Sequence, residues 1–260
     1  MHKEKLSIIK IGGNIIEDEK SLDAFLKLFS NLKGKKILVH GGGKRATHIA
    51  SKLGIESKMI NGRRITDAAN LEVITMVYGG LVNKNIVAKL QALQIDAIGL
   101  TGADINSIQS DKRPVKDIDF GFVGDVKKVA HNSIDKLIKA DFTPVFCAIT
   151  HDGNGQLLNT NADTIASTIA VGMSNIYETS IYYCFELNGV LQDFNDKNSV
   201  IKNINSDTYK ELLEQKIITD GMIPKIDNCF DALNNGVSKV HIGNTNMLTK
   251  EHDNFTTITL

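Results

Sequence analysis

Apolar residues along this chain fall into two rhythms that alternate from one end to the other. The first is a short unbroken run. Ile37 to His40, Asp96 to Leu100, Pro144 to Ile149 and Ile181 to Phe185 have this form; Leu6 to Ile11, interrupted by Ser7 and Lys10, and Lys239 to Gly243 are further strands. They read as strands buried on both faces, since a half-exposed strand would alternate apolar with polar. The second rhythm spaces apolar residues three and four apart, as one face of a helix does. It predicts a helix from an N-cap at Ser21 to Leu32, and another from Lys44 to Leu53 ended by Gly54. A long helix follows a cap at Thr66 and carries Leu71, Ile74, Val77, Leu81, Ile86 and Leu90, with Gly79-Gly80 as a weak point or a close contact. Further helices begin near Ser133 and Asn161 and span Asp207 to Lys216 and Pro224 to Leu233, the last ended by Gly236.

Asn61-Gly62, flanked by apolar residues, predicts a hairpin over Lys58 to Ile65. Residues 104–128 are polar and rich in turn formers, and read as loops with short strands; Asp152 to Gly155 is a turn. Strand and helix alternate throughout. The expected fold class is therefore α/β, a three-layer αβα sandwich around a mostly parallel central sheet. No low-complexity linker divides residues 1–260, so one domain is expected. Its two lobes would meet near residue 175.

Composition removes several functions. With 30 basic and 30 acidic residues the formal net charge is zero, so nothing global draws the chain to nucleic acid or to an anionic membrane. No apolar run approaches a membrane span, and Met1 to Lys5 leads into a strand without a leader-like segment. Cys147, Cys184 and Cys229 have no metal-ligand spacing and are expected as free core thiols of a cytoplasmic protein.

The candidate chemistry sits where the strands stop. The first strand ends in Gly12-Gly13 and the second in Gly41-Gly42-Gly43, each followed by helical spacing. Strand, glycine turn and helix form the place where an α/β sheet receives an anion, although a tight turn without a ligand has the same pattern. Lys10 interrupts an apolar strand just before its glycines, a position suited to neutralising phosphate; the plainer alternative is an outward-facing residue on an edge strand. Asn159-Thr160-Asn161-Ala162-Asp163 holds more polar groups than one helix cap requires. Pro224 suits the first helical turn and puts Lys225 there too, the wrong sign for that end of the dipole unless an anion lies between. Arg64 is a candidate carboxylate clamp, or else a solvated surface charge. Two glycine turns, two lysines and an aspartate suggest phosphoryl transfer, yet neither a Walker A motif nor a protein-kinase glycine loop is present.

Six segments, taken together and in order, resemble the amino acid kinase family: Ile9-Lys10-Ile11-Gly12-Gly13, Val39-His40-Gly41-Gly42-Gly43, Asn61 to Thr66, Gly121 to Val126, Asn159 to Asp163, and Ile218 to Lys225. The resemblance implies ATP-dependent phosphorylation of the γ-carboxylate of an N-acylated glutamate such as N-acetyl-L-glutamate, the second step of arginine biosynthesis. It implies that Lys10 and Lys225 stabilise the transferring phosphoryl group and that Asp163 holds both lysines. Gly42, Gly43, Arg64 and Asn159 would bind the acylated amino acid. Gly12, Gly13, Glu186, Leu187, Asn188, Gly189, Thr219, Asp220 and Gly221 would line the nucleotide, with Mg²⁺ bridging its phosphates and no protein metal site. The N-terminal lobe would hold the acceptor and the dimer contact, and the C-terminal lobe ATP.

Two departures from the family pattern stand out. The nucleotide-side strand usually ends Thr/Ser-Asp-Val, whereas here it reads Phe185-Glu186-Leu187-Asn188-Gly189. No long helix precedes Leu6, so a homodimer without arginine feedback is expected. The alternatives are another acyl group such as N-succinyl, another amino acid kinase, a hydrolase using His40 to Gly43 as an oxyanion hole, or a regulator that has lost catalysis. The hydrolase lacks a Gly-x-Ser-x-Gly elbow, and the presence of Lys10, Asp163 and Lys225 opposes the regulator.

Overall fold

A computed structural model describes residues 3–60, 62–219, 222–249 and 253–260. The chain starts with β1 (Lys5–Ile11), a short α1 (Gly13–Glu17) and α2 (Glu19–Asn31). β2 (Lys35–His40) leads through the second glycine turn into α3 (Gly43–Lys52). A small hairpin, β3 (Met59–Ile60) and β4 (Arg63–Arg64), precedes one long helical rod. That rod is α4 (Ala68–Ile74), a π-helical stretch Thr75–Val82, and α5 (Asn83–Ala92). Then come β5 (Ala97–Leu100), β6 (Ile108–Lys112), β7 (Gly124–Val129) and α6 (His131–Lys139). β8 (Thr143–Cys147), β9 (Ile149–His151), β10 (Leu157–Asn159) and α7 (Ala162–Met173) follow. The remainder comprises β11 (Glu178–Cys184), β12 (Asn203–Ile204), α8 (Ser206–Glu214), α9 (Ile223–Asn234), β13 (Lys239–Gly243) and β14 (Thr256–Ile258).

Eight strands form the central sheet in the order β12-β14-β13-β11-β1-β2-β8-β5. Its pairings are parallel except β13 with β14. β1 is the pivot. The chain first builds outward on its β2 side, then returns to build on its β11 side, and the crevice at such a reversal is where open α/β sheets bind ligands. Ile8, Ile9, Ile11, Ile37, Leu38 and Val39 are fully buried, which explains the unbroken apolar runs. α6, α7 and α9 cover one face, with α7 lying on β1, β2 and β11; α5 covers β5 and β8 on the other, beside α2. A second sheet, β10-β9-β6-β7, packs against α7 and the helical rod.

Several boundaries differ from the sequence expectation for identifiable reasons. Asp18, not Ser21, caps α2, because its carboxylate accepts from the backbone N–H groups of Lys20 and Ser21. Asp67, not Thr66, caps the long rod through Asn70 N–H. The apolar run from Pro144 to Ile149 is two strands, since the chain leaves the central sheet at Ala148 and β9 joins the second sheet. The hairpin pairs Met59 with Arg64 and Ile60 with Arg63; Asn61 at its tip lies outside the described residues. All three cysteines are buried and free. No helix among the described residues is long and apolar enough to cross a membrane.

Candidate active site

Parallel register brings three chain ends together. Ile11 lies beside His40 on one flank and Cys184 on the other, so Gly12-Gly13, Gly41 to Gly43 and Phe185 to Gly189 leave neighbouring strands on the same edge. The glycines there differ in why they are glycine. Gly42 caps α3 with φ at 156°, and a Cβ on it would lie 2.9 Å from the Tyr78 ring. At Gly12, Gly13, Gly41 and Gly43 a Cβ would meet no protein atom closer than 3.6 Å. Packing within the protein therefore does not by itself require glycine at those four positions. Lys44 in the first turn of α3 hydrogen-bonds Asn14 of α1, which ties the two turns together.

Lys10, the last residue but one of β1, is almost fully buried, with Nζ 2.6 Å from Asp163 Oδ1. This rules out an edge-strand lysine in solvent. Asn161 performs the cap of α7, its Oδ1 accepting from the N–H groups of Asp163 and Thr164. Asp163 is left free to face Lys10, while its backbone carbonyl accepts from Tyr183 Oη at 3.2 Å.

Lys225 lies in the first turn of α9, just after Pro224, and its Nζ sits 3.9 Å from the centre of the Phe185 ring. Lys10 Nζ is 5.2 Å from the same ring. Asp163 thus pairs directly with Lys10, while Lys225 rests on an aromatic face; the expected grip on both lysines is half realised. Burial lowers the Lys225 pKa below the ordinary lysine value, and Lys10 pushes it the same way, against the attraction of Asp163. Lys225, Asp163 and Phe185 line a small cavity with Tyr183, Asn228 and Cys229, and Lys10 joins the group through its ion pair with Asp163. Such a cluster has one positive charge in excess, in a partly desolvated place, and suits a transferring anion.

Across the crevice, Arg64 is buried rather than solvated. Its Nη2 donates to Gly43 O at 2.9 Å and to Thr47 Oγ1 at 2.6 Å, which locks the hairpin onto the first turns of α3. Asn159 donates to Thr66 Oγ1 at 3.0 Å, two residues beyond Arg64. Thr66 in turn exchanges backbone hydrogen bonds with Phe120 and Phe122, and Asn159 N–H with Phe122 O, which is what the Gly121 to Val126 segment does here. Arg64 is thus tied to Gly43 and Thr47 of α3, and Asn159 to Thr66, two residues beyond Arg64.

The nucleotide-side residues are more dispersed. Glu186 is exposed and Leu187 half-buried. Asn188 Oδ1 accepts from Asn244 Nδ2 at 2.6 Å. Gly189 is a packing glycine, since a Cβ would lie 2.6 Å from Thr256 Oγ1. Thr219 is exposed, its carbonyl accepting from Met222 N–H; Asp220 and Gly221 lie outside the described residues. Sequence reasoning missed Tyr78 and the contact role of Phe185. Tyr78 read as one more residue of the long helix, and Phe185 only as a departure from a pattern.

Residues 5–244 match the amino acid kinase family. An acetylglutamate kinase of Cytophaga hutchinsonii is 59% identical over 240 residues, covering 92% of this chain and 91% of that one. An acetylglutamate kinase of Phocaeicola vulgatus is 58% identical over 240 residues, covering 92% and 93%. Among solved structures, smu.665 from Streptococcus mutans UA159 superposes with a TM-score of 0.77 at 26% identity, covering 98% of each chain.

Proposed function

The chain belongs to the amino acid kinase family, and on that premise we propose that it transfers the γ-phosphoryl group of ATP to the γ-carboxylate of N-acetyl-L-glutamate, giving N-acetylglutamyl 5-phosphate in arginine biosynthesis. The relatives' shared name supports the acceptor. The observation that carries the chemistry is the Lys10–Asp163 pair at the sheet's reversal point, with Lys225 beside it.

The attacking carboxylate and the γ-phosphoryl group are both anions, so their approach needs positive charge between and around them. Lys10 and Lys225 supply it, and Asp163 fixes Lys10. The backbone of Gly13 and Gly42 offers N–H groups to the equatorial oxygens. Arg64 and Asn159 hold the acylated amino acid, Arg64 through its α-carboxylate. N-acylation keeps the acceptor's amine from cyclising onto the acyl phosphate. ATP lies along Glu186 to Gly189, which follow β11, with Thr219 to Gly221 as its further contacts. Mg²⁺ would come as the counter-ion of its phosphates, an arrangement that needs no protein cage.

Formation of ADP dependent on N-acetylglutamate, compared side by side with N-succinylglutamate, tests the reaction and the acyl group together. Absence of turnover with any acylglutamate overturns it. The reading includes a homodimer in the cytoplasm. Met76, Gly80 and Leu81 are exposed on the π-helical stretch and form an apolar face suited to a second copy of the chain. Light scattering decides: a monomer or a hexamer, or inhibition by arginine, refutes that part.

A further inference from the structure

Beneath the second glycine turn lies a buried polar chain that the scheme above leaves unused. His40, the last residue of β2, is fully buried. Its Nδ1 lies 2.7 Å from Gly41 O, and its Nε2 lies 3.0 Å from Asn83 Nδ2. The same Asn83 nitrogen is 2.9 Å from Val145 O. A carbonyl can only accept, so the Asn83 atom facing Val145 must be the amide nitrogen, and this settles which way the amide is turned. Its second hydrogen then goes to His40 Nε2, which accepts. The ring proton is therefore on Nδ1 and donates to Gly41 O. Burial keeps the ring neutral, its pKa lowered to about 4.

This has a consequence for the cleft. Adjacent residues of a strand point to opposite faces of the sheet. Ile11 and His40 are register partners, so their side chains share a face, and Lys10 points to the other one. His40 indeed meets Asn83 of α5, and Lys10 meets Asp163 of α7. No peptide among the described residues is cis, and across a planar trans peptide the C=O and N–H point in opposite directions. Because His40 draws Gly41 C=O toward the α5 face, the N–H of Gly42 is turned toward the face that carries Lys10 and Asp163.

The surroundings are built to keep Asn83 in place. A Cβ at position 99 would lie 1.9 Å from Asn83 Oδ1, so Gly99 leaves the room that Asn83 fills. Asn83 also follows directly on the π-helical stretch whose Tyr78 packs against Gly42. One helical rod thus reaches the glycine turn twice.

We propose that His40 and Asn83 are positioning residues: Asn83 sets the His40 tautomer, and His40 holds the Gly41–Gly42 peptide with its N–H aimed at the transferring phosphoryl group. The proposal rests on the phosphoryl-transfer reading above. Asparagine can place an amide N–H where histidine has Nδ1–H, whereas leucine cannot donate. His40→Asn should keep kcat within a few-fold of wild type. His40→Leu and Asn83→Leu should lower kcat by roughly ten- to hundredfold, somewhat less than the loss of a whole oxyanion donor, with both KM values little changed. Ring ¹⁵N NMR of the wild-type protein between pH 6 and 8 should show the neutral Nδ1–H tautomer, and Asn83→Leu should lose that preference. An Nε2–H ring in wild type, or a folded His40→Leu protein with wild-type kcat, overturns the proposal. A wild-type protein with no acylglutamate-dependent turnover would instead defeat the kinase reading, and the NMR measurement would still report the tautomer.

Discussion

Lys225 Nζ stands 3.9 Å over the centre of the Phe185 ring, so the second lysine of the site rests on an aromatic face, and Asp163 attracts it without pairing with it directly as it does with Lys10. A cation over an aromatic ring gains about 0.5–2 kcal/mol depending on how dry the site is. Phe185 therefore gives Lys225 a defined place before any phosphate arrives to claim it. Phe185→Leu keeps an apolar floor and removes the ring quadrupole. It should lower kcat/KM for ATP by roughly two- to thirtyfold, the range that energy spans. Unchanged kcat/KM in steady-state assays would reduce the ring to a filler.

Lys10 and Lys225 act where charge develops, so their truncation should weigh on kcat. Lys10→Ala and Lys225→Ala should each cost roughly a hundred- to thousandfold in kcat with KM values changed far less. Arg64→Ala should do the reverse and mainly raise the acceptor KM. Arg64 already spends one nitrogen on Gly43 O and Thr47 Oγ1, so Arg64→Lys should not restore binding, because an ammonium cannot keep those bonds and also form a fork on a carboxylate. An acceptor KM untouched by Arg64→Ala would remove the clamp.

The lowered pKa of Lys225 sets the alkaline limb of activity. Lys225 must be protonated to work, so kcat/KM should fall as pH rises through its pKa in the free enzyme. Burial and Lys10 both lower that pKa and Asp163 opposes them, so the limb should lie below the ordinary lysine value of 10.5. Lys225→Arg, which retains its proton throughout, should abolish the limb even where its activity is poor. A limb that survives in Lys225→Arg belongs to another group.

The glycines separate stability from function. Gly13→Ala and Gly43→Ala meet no protein atom closer than 3.6 Å, so both should melt near the wild-type temperature while losing activity, since the added methyl occupies ligand space. Gly42→Ala must adopt a left-handed φ of 156° and push on the Tyr78 ring, and should lose about 1–3 kcal/mol in urea titration. Full activity in Gly13→Ala would mean that no ligand approaches that turn.

Much of this was legible in the chain itself, because the site is assembled from strand ends. The runs at Leu6 to Ile11 and Ile37 to His40 state both the parallel core and the places where it opens. Lys10 stood out because an apolar run has no other use for a charge. Residues that act across the sheet gave no such signal. Asn83 sits in a helical stretch of ordinary polarity, and only the register that puts α5 over β2, β8 and Gly99 brings it to His40. Phe185 drew notice as an unexpected residue, but the approach of α9 that lays Lys225 on it is a tertiary event. β12 and β14 were missed because strands of two and three residues carry too little periodicity to read.

Buried histidines also give the protein an acid limit. His40 and His241 are both held near pKa 4 against an ordinary 6.5, chiefly by burial, with Lys84 near the first and Lys239 near the second. The unfolded chain therefore binds more protons than the folded one between those values. Stability is fully present above about pH 6.5 and drains away as pH falls toward 4. A shift of that size is on the order of 3 kcal/mol for fully buried His40. The depressed carboxylates Asp67, Asp135 and Asp152 lose their contributions only below the ordinary aspartate range, so the window from 6.5 to 4 belongs to the histidines. Urea midpoints measured from pH 7.5 to 4.5 should fall steadily in wild type and less steeply in His40→Asn, which has no proton to gain at that site. Parallel slopes for the two proteins would show that His40 titrates alike in the folded and unfolded chains, and that it is not the sealed, neutral ring on which the Gly41 bond depends.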